Sequence, residues 1–171
     1  MKLRWMASCV GALLAVVGCS TVTPIPGDAA MRSPRFGQMT KADAVGVMRA
    51  QARPASGMTD YGSFAMDEEG FSFKRTTQNT RSEYRDGRNV TVTQTVWITR
   101  NVPWNSISRT TAYFRDYEFL FTDEYRVNLT YEMTDFDGKR RVKADEEFDF
   151  VCRTEPDVID VLAAIKALQG E

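Results

Sequence analysis

Hydrophobic and polar positions change period twice along this chain, and the changes divide it. Between Thr40 and Ala52 the apolar residues Ala44, Val45, Val47 and Met48 fall on one helical stripe, weakened by Gly46. Thr40 and Asp43 stand at the spacing of a capping box, and Pro54 and Gly57 close the segment. This predicts a short helix over 40–52 that covers one edge of a domain.

From Ser63 the pattern alternates, which predicts strands. Ser63–Met66 and Phe71–Arg75 flank the turn Asp67-Glu68-Glu69-Gly70. A longer hairpin follows, with strands near 75–85 and 88–99 around Asp86-Gly87. In its second strand Val90, Val92, Val96 and Ile98 share one face, and Thr91, Thr93, Thr95, Trp97 and Thr99 the other. After the break Val102-Pro103-Trp104-Asn105-Ser106-Ile107 come three more alternating runs. Thr111, Tyr113, Tyr117, Phe119 and Phe121 mark the first, and Tyr125, Val127, Leu129, Tyr131 and Met133 the second. After the turn Asp135–Lys139, the third sets Val142, Ala144, Phe148, Phe150 and Cys152 on one face. Arg141, Lys143, Asp145, Glu147 and Asp149 take the opposite face. Cys152 is thus expected in the core, as a small hydrophobe. The last segment is helical: Thr154 caps it, Pro156 lies in its first turn, and Val158, Val161, Leu162, Ile165 and Leu168 recur every three or four residues up to Gly170. The prediction is an α+β domain over 40–171, mainly antiparallel. It comprises a β-rich core over 60–152 with about seven strands in a small barrel or strongly bent sheet, and a carboxyl-terminal helix over 155–169.

The amino terminus follows neither period. Lys2 and Arg4 precede the apolar run Val10–Val17, which is shorter than the roughly 20 residues a membrane-spanning helix needs. This is the anatomy of a secretory signal. The run ends in Val16-Val17-Gly18-Cys19, which resembles the lipobox of bacterial lipoproteins. The resemblance implies cleavage after residue 18, acylation of Cys19 and stable attachment to a membrane, since two or more acyl chains anchor a protein firmly. An ordinary signal peptide and an uncleaved anchor are the alternatives. Ser20, where Asp favours the inner membrane in Gram-negative families, leans the expectation towards the outer membrane and the periplasm. Residues 19–39 hold Pro24, Pro26, Gly27, Pro34 and Gly37 with few large apolar groups, and are expected to be a flexible tether.

Composition narrows the chemistry. The chain has 22 basic and 23 acidic residues; losing residues 1–18 removes Lys2 and Arg4 and takes the formal charge from −1 to −3. A nucleic-acid partner is not expected. There is no histidine, which removes Ser-His-Asp and Cys-His catalysis and most zinc sites. With Cys9 removed and Cys19 acylated, Cys152 has no partner for an intrachain disulfide. No cofactor is expected.

About seven antiparallel strands followed by one amphipathic helix resemble the pleckstrin-homology-like barrel. Val102-Pro103-Trp104-Asn105-Ser106-Ile107 is similar to a step found in bacterial members, and Val158–Leu168 to the helix that plugs one end. A lipocalin-like barrel or an open sheet with one helix would give a similar string. The resemblance implies that basic residues on an early hairpin meet anionic headgroups. Here Lys74, Arg75, Arg81, Arg85 and Arg88 stand against Glu83 and Asp86, a net +3. The plainer reading is a solvated edge whose charges deter strand pairing. Trp97, on the threonine face, is either a contact anchor or the cover of a seam.

The acid groups Asp67-Glu68-Glu69, Asp123-Glu124 and Asp145-Glu146-Glu147 would need to face each other across a cleft to act in hydrolysis, and they fall at turns or on outward positions. Asp135-x-Asp137-Gly138 echoes the start of a calcium loop without its remaining ligands. Asn89-Val90-Thr91 and Asn128-Leu129-Thr130 match the glycosylation pattern but sit inside strands. The expected function is that of a non-catalytic binding or scaffolding module of the cell envelope, anchored through Cys19, with an envelope protein or anionic lipid as partner. A carrier of an apolar ligand and a carboxylate-only hydrolase are the alternatives.

Overall fold

The computed structural model describes residues 20–55, 63–117, 123–136 and 141–170. Cys19 and the signal segment, Phe119, Phe121 and the turn at 137–139 lie outside the described residues.

Strands dominate, and they form two sheets rather than a closed barrel. One has five strands in the order β1 (Ser20–Ile25), β6 (Ile107–Tyr117), β7 (Glu124–Phe136), β8 (Arg141–Cys152) and β2 (Arg53–Pro54). The other has three, β3 (Ala65–Met66), β4 (Gly70–Arg85) and β5 (Arg88–Pro103). Every pairing is antiparallel. The alternation in sequence is borne out on β7 and β8, where Val127, Leu129, Tyr131, Phe148, Phe150 and Cys152 are all buried; on β6 it is Ala112 that is buried beside Val127, and Tyr113 lies on the outer face opposite Arg126.

Both helices form as expected. α1 (Lys41–Gln51) and α2 (Glu155–Gln169) each start with a complete capping box, Thr40 with Asp43 and Thr154 with Asp157. α2 ends at Gly170, whose φ of 84° suits the residue without a Cβ. Its apolar stripe is buried, and so are Ala163 and Ala164. The small residues matter because α2 is covered on several sides. It packs against α1, against a 3-10 turn at Gly27–Arg32, and against β7 and β8.

The tether expectation is corrected. Ser20–Ile25 is hydrogen-bonded to β6 along its whole length, and the 3-10 turn buries Ala29 and Ala30 completely. Ser33 Oγ then donates to Asp160 Oδ1 on α2 at 2.6 Å. Low apolar content misled because strand pairing satisfies the backbone, not the side chains. Pro24 is tolerated because β1 is an edge strand.

Aromatic rings fill the space between the sheets. Phe71 lies 4.9 Å from Phe148, 5.3 Å from Trp104 and 5.8 Å from Phe150, and Phe73 lies 4.7 Å from Phe148. Trp104 is buried and its indole N–H donates to the carbonyl of Asp67 at 2.9 Å, so the ring is held at both ends.

Candidate functional site

The long hairpin β4–β5 has two parts with different physics. Its root belongs to the core through Phe71, Phe73 and Val102. Its outer part, from about Thr76 to Trp97, supplies no residue to the core among the described side chains. The two strands pair without a break from Gly70↔Pro103 to Arg85↔Arg88. Asp86 and Gly87 make the tip with φ of 52° and 77°. Those are the paired positive values that a two-residue hairpin turn requires, and Asp-Gly supplies them.

A charged clasp sits where root becomes arm. Glu146 on β8 accepts from Arg75 at 3.1 Å and from Arg100 at 3.2 Å, and Tyr131 Oη donates to it at 3.1 Å. Four strands from both sheets meet there. Burial pushes the Tyr131 phenol up, and the neighbouring Glu146 charge pushes it further. Acids of the last strand were expected on outward positions; Glu146 departs from this. It shares parity with Ala144 and Phe148 and so faces the three-stranded sheet. The sequence carried this signal, an acid interrupting an apolar face.

The candidate contacts read from sequence separate in the structure. Arg75 is committed to Glu146, while Arg81 and Arg85 both pair with Glu83 at 2.6 Å. Lys74 and Arg88 are the cations of the set with no ion pair among the described residues. Glu83 is already counted in the +3, and Glu146 is shared between Arg75 and Arg100, so the hairpin keeps a positive excess with three of its five cations held in ion pairs. Trp97 is 56% exposed and Tyr84 is 73% exposed, both on the threonine face. Thr80 and Thr93 hydroxyls meet across that face at 3.3 Å.

The outer face of the five-stranded sheet carries a second network. Arg126 contacts Glu124 at 2.7 Å and Asp149 at 3.1 Å, and Asn128 donates to Asp149 at 2.8 Å. Burial works against the Arg126 charge, but Glu124 above all, with Tyr113 and Asp149, more than offsets it and its pKa rises. Beside it, burial and then the Asp149 charge push the Tyr113 phenol up. Asp67 is occupied differently, accepting from the backbone N–H groups of Glu69 and Gly70. Thus Glu124, Glu146, Asp149 and Asp67 each have a structural partner. Among the described residues no group of three acids, histidines or cysteines could hold a metal ion.

Cys152 is buried, and burial pushes its thiol up to about 12. It behaves as the core residue that its position predicts. Surface clefts lie where the end of α2 meets Ile107, beside the Asp67–Gly70 turn, and along α1. Among the described residues no helix is long and apolar enough to cross a membrane. Compared with known protein families, curated proteins and solved structures, the chain matches none.

Proposed function

We propose that this chain is a lipid-anchored module of the bacterial cell envelope, held by Cys19, that binds or scaffolds an envelope partner and carries out no chemistry itself. The observation that carries the proposal is the order Val16-Val17-Gly18-Cys19-Ser20, in which the lipobox resemblance ends one residue before a paired strand. An acyl group on Cys19 would then hold the domain directly against the bilayer, with no spacer.

That closeness bears on the partner. Ser20 sits at the end of the five-stranded sheet where Tyr125 faces Cys152. The hairpin runs the other way: Phe71 lies by Phe150, Phe73 by Phe148 and Arg75 by Glu146. From Arg75 to Arg85 the arm extends about 33 Å further at a strand's rise. Its exposed residues, Lys74, Arg88 and Trp97 among them, thus head away from the anchored end. They suit a partner beyond the headgroup layer better than the lipid of the anchoring leaflet. The ring cluster between the sheets supports a binding surface over a ligand-carrying interior.

Intact mass of the chain extracted from membranes tests the anchor. The expected result is a chain starting at Cys19 plus acyl groups; an uncleaved or unacylated chain would overturn the address. Cross-linking in the envelope followed by purification tests the role. A partner recovered by the wild type and lost with the arm supports it, and recovery of no specific partner counts against it.

A further inference from the structure

We propose that the outer edge of β5 is a self-recognition surface, and that two copies of this chain pair through it, antiparallel, about a two-fold axis at Gln94. Three observations lead there, and none depends on the lipid anchor.

The first is the edge itself. Among the described residues β5 is hydrogen-bonded to β4 on one side only, and it is the outermost strand of its sheet over all 16 residues. Beyond the short β3, the arm is a two-stranded ribbon, an architecture of marginal stability alone in water. An open edge of this length is a template for another strand.

The second is charge. Folded proteins protect such edges with charged residues or proline. From Asn89 to Thr99 β5 has neither: the sequence is Asn-Val-Thr-Val-Thr-Gln-Thr-Val-Trp-Ile-Thr. The arginines of the arm sit on β4 or at the ends of β5. Nothing along this stretch repels an identical strand, and nine of its eleven residues are β-branched or aromatic, the types that pair best.

The third is the pattern. On the face of β5 that continues the core face, the order is Val90, Val92, Gln94, Val96, Ile98. In apolar and polar character it reads the same in both directions from Gln94, with Ile98 standing where Val90 does on the other side. A two-fold contact requires that if one residue meets a second, the second meets the first. With the axis at Gln94, Val92 meets Val96 of the second copy, Val90 meets its Ile98, and the amides of Gln94 meet each other. On the opposite face Thr93 meets Thr95 and Thr91 meets Trp97, which is exposed in the single chain. Moving the axis one residue either way sets Val92 or Val96 against Gln94. The pattern therefore selects one register, and cross-strand pairs of this kind are the unit that stabilises a sheet. The product is a continuous four-stranded ribbon, β4–β5–β5–β4.

The test is sedimentation equilibrium of the full chain extracted in mild detergent, with variants on the axis and beside it. The expected mass is that of two chains. Gln94→Cys, mildly oxidised, should give a disulfide-linked dimer absent from the unsubstituted chain, and Thr80→Cys on β4 should not. The double variant Val92→Glu with Val96→Glu sets acid against acid across the axis and should sediment as one chain. Val92→Glu with Val96→Lys sets acid against base and should restore the dimer, which also shows that charge at these positions permits folding. A single-chain mass for the wild type overturns the proposal. So does an assembly larger than two, a dimer indifferent to the acidic pair, or a Gln94→Cys chain that does not cross-link.

Discussion

Gly70 is where β4 leaves the tight turn beside Trp104, and the space there admits no side chain. A Cβ at this position would lie 2.3 Å from the backbone oxygen of Val102 and 2.9 Å from the Pro103 Cα. Backbone cannot rotate aside as a side chain can. Gly70→Ala should therefore destabilise the protein by about 1–3 kcal/mol. Urea unfolding would register this as a lower midpoint with an unchanged slope. At Cys152 the effect depends on pH. The thiol is raised from 9.0 to about 12 by burial, so the native state keeps its proton where the unfolded chain has lost it. Stability from this group is complete below pH 9 and falls as pH rises towards 12. Tyr113 and Tyr131 are also raised, from an ordinary value of 10.0, and act in the same direction. Cys152→Ala should thus move the onset of alkaline destabilisation from about pH 9 to about pH 10, read from urea midpoints across that range.

Elements whose cause is local were the most legible. The α2 cap is one: Thr154 Oγ1 accepts from the Asp157 N–H, and Asp157 returns the bond to the Thr154 N–H. Thr154→Ala should cost about 1 kcal/mol, measured as a loss in unfolding free energy without loss of helical ellipticity in the folded protein. The Asp86-Gly87 tip, the alternation of β7 and the stripe of α2 were readable for the same reason, because each depends on residues close in sequence. The misreadings have the opposite cause. β1 is held by an edge that β6 offers from far along the chain, and nothing in Ser20–Ile25 announces it. The basic hairpin could be counted from sequence, but the commitment of Arg75 needed Glu146, which lies 71 residues away. Glu146 itself was within reach, since strand parity already placed it on the Phe148 face. The missing histidine is a property of the sequence alone, whereas faces and edges come together only after the strands have paired.

At the scale of the molecule, the chain joins a body that holds the described core to an arm that adds nothing described to it. Among the described residues, every buried side chain that β4 and β5 give to the core lies at the root, in Phe71, Phe73 and Val102, and the clasp of Arg75, Arg100 and Glu146 closes just above them. Thr77 faces Val96 in the register, in the same relation as Arg85 and Arg88 around the natural tip. Replacing residues 78–95 by Asn-Gly should therefore close a shortened hairpin with a turn of the favoured kind. The ring cluster, both helices and the clasp are all retained in that variant. Its thermal midpoint should stay within about 2–4 °C of the wild type, the shift that 1 kcal/mol gives in a domain of this size. Association of two copies should be lost completely, because Gln94 and its apolar neighbours on one side of the axis are gone. A shortened chain that unfolds outright would show that the arm stabilises the body, contrary to the division drawn from the core. A shortened chain that folds and still dimerises would place self-association elsewhere on the surface. Folding retained with pairing lost is the combination that assigns stability to the root and recognition to the arm.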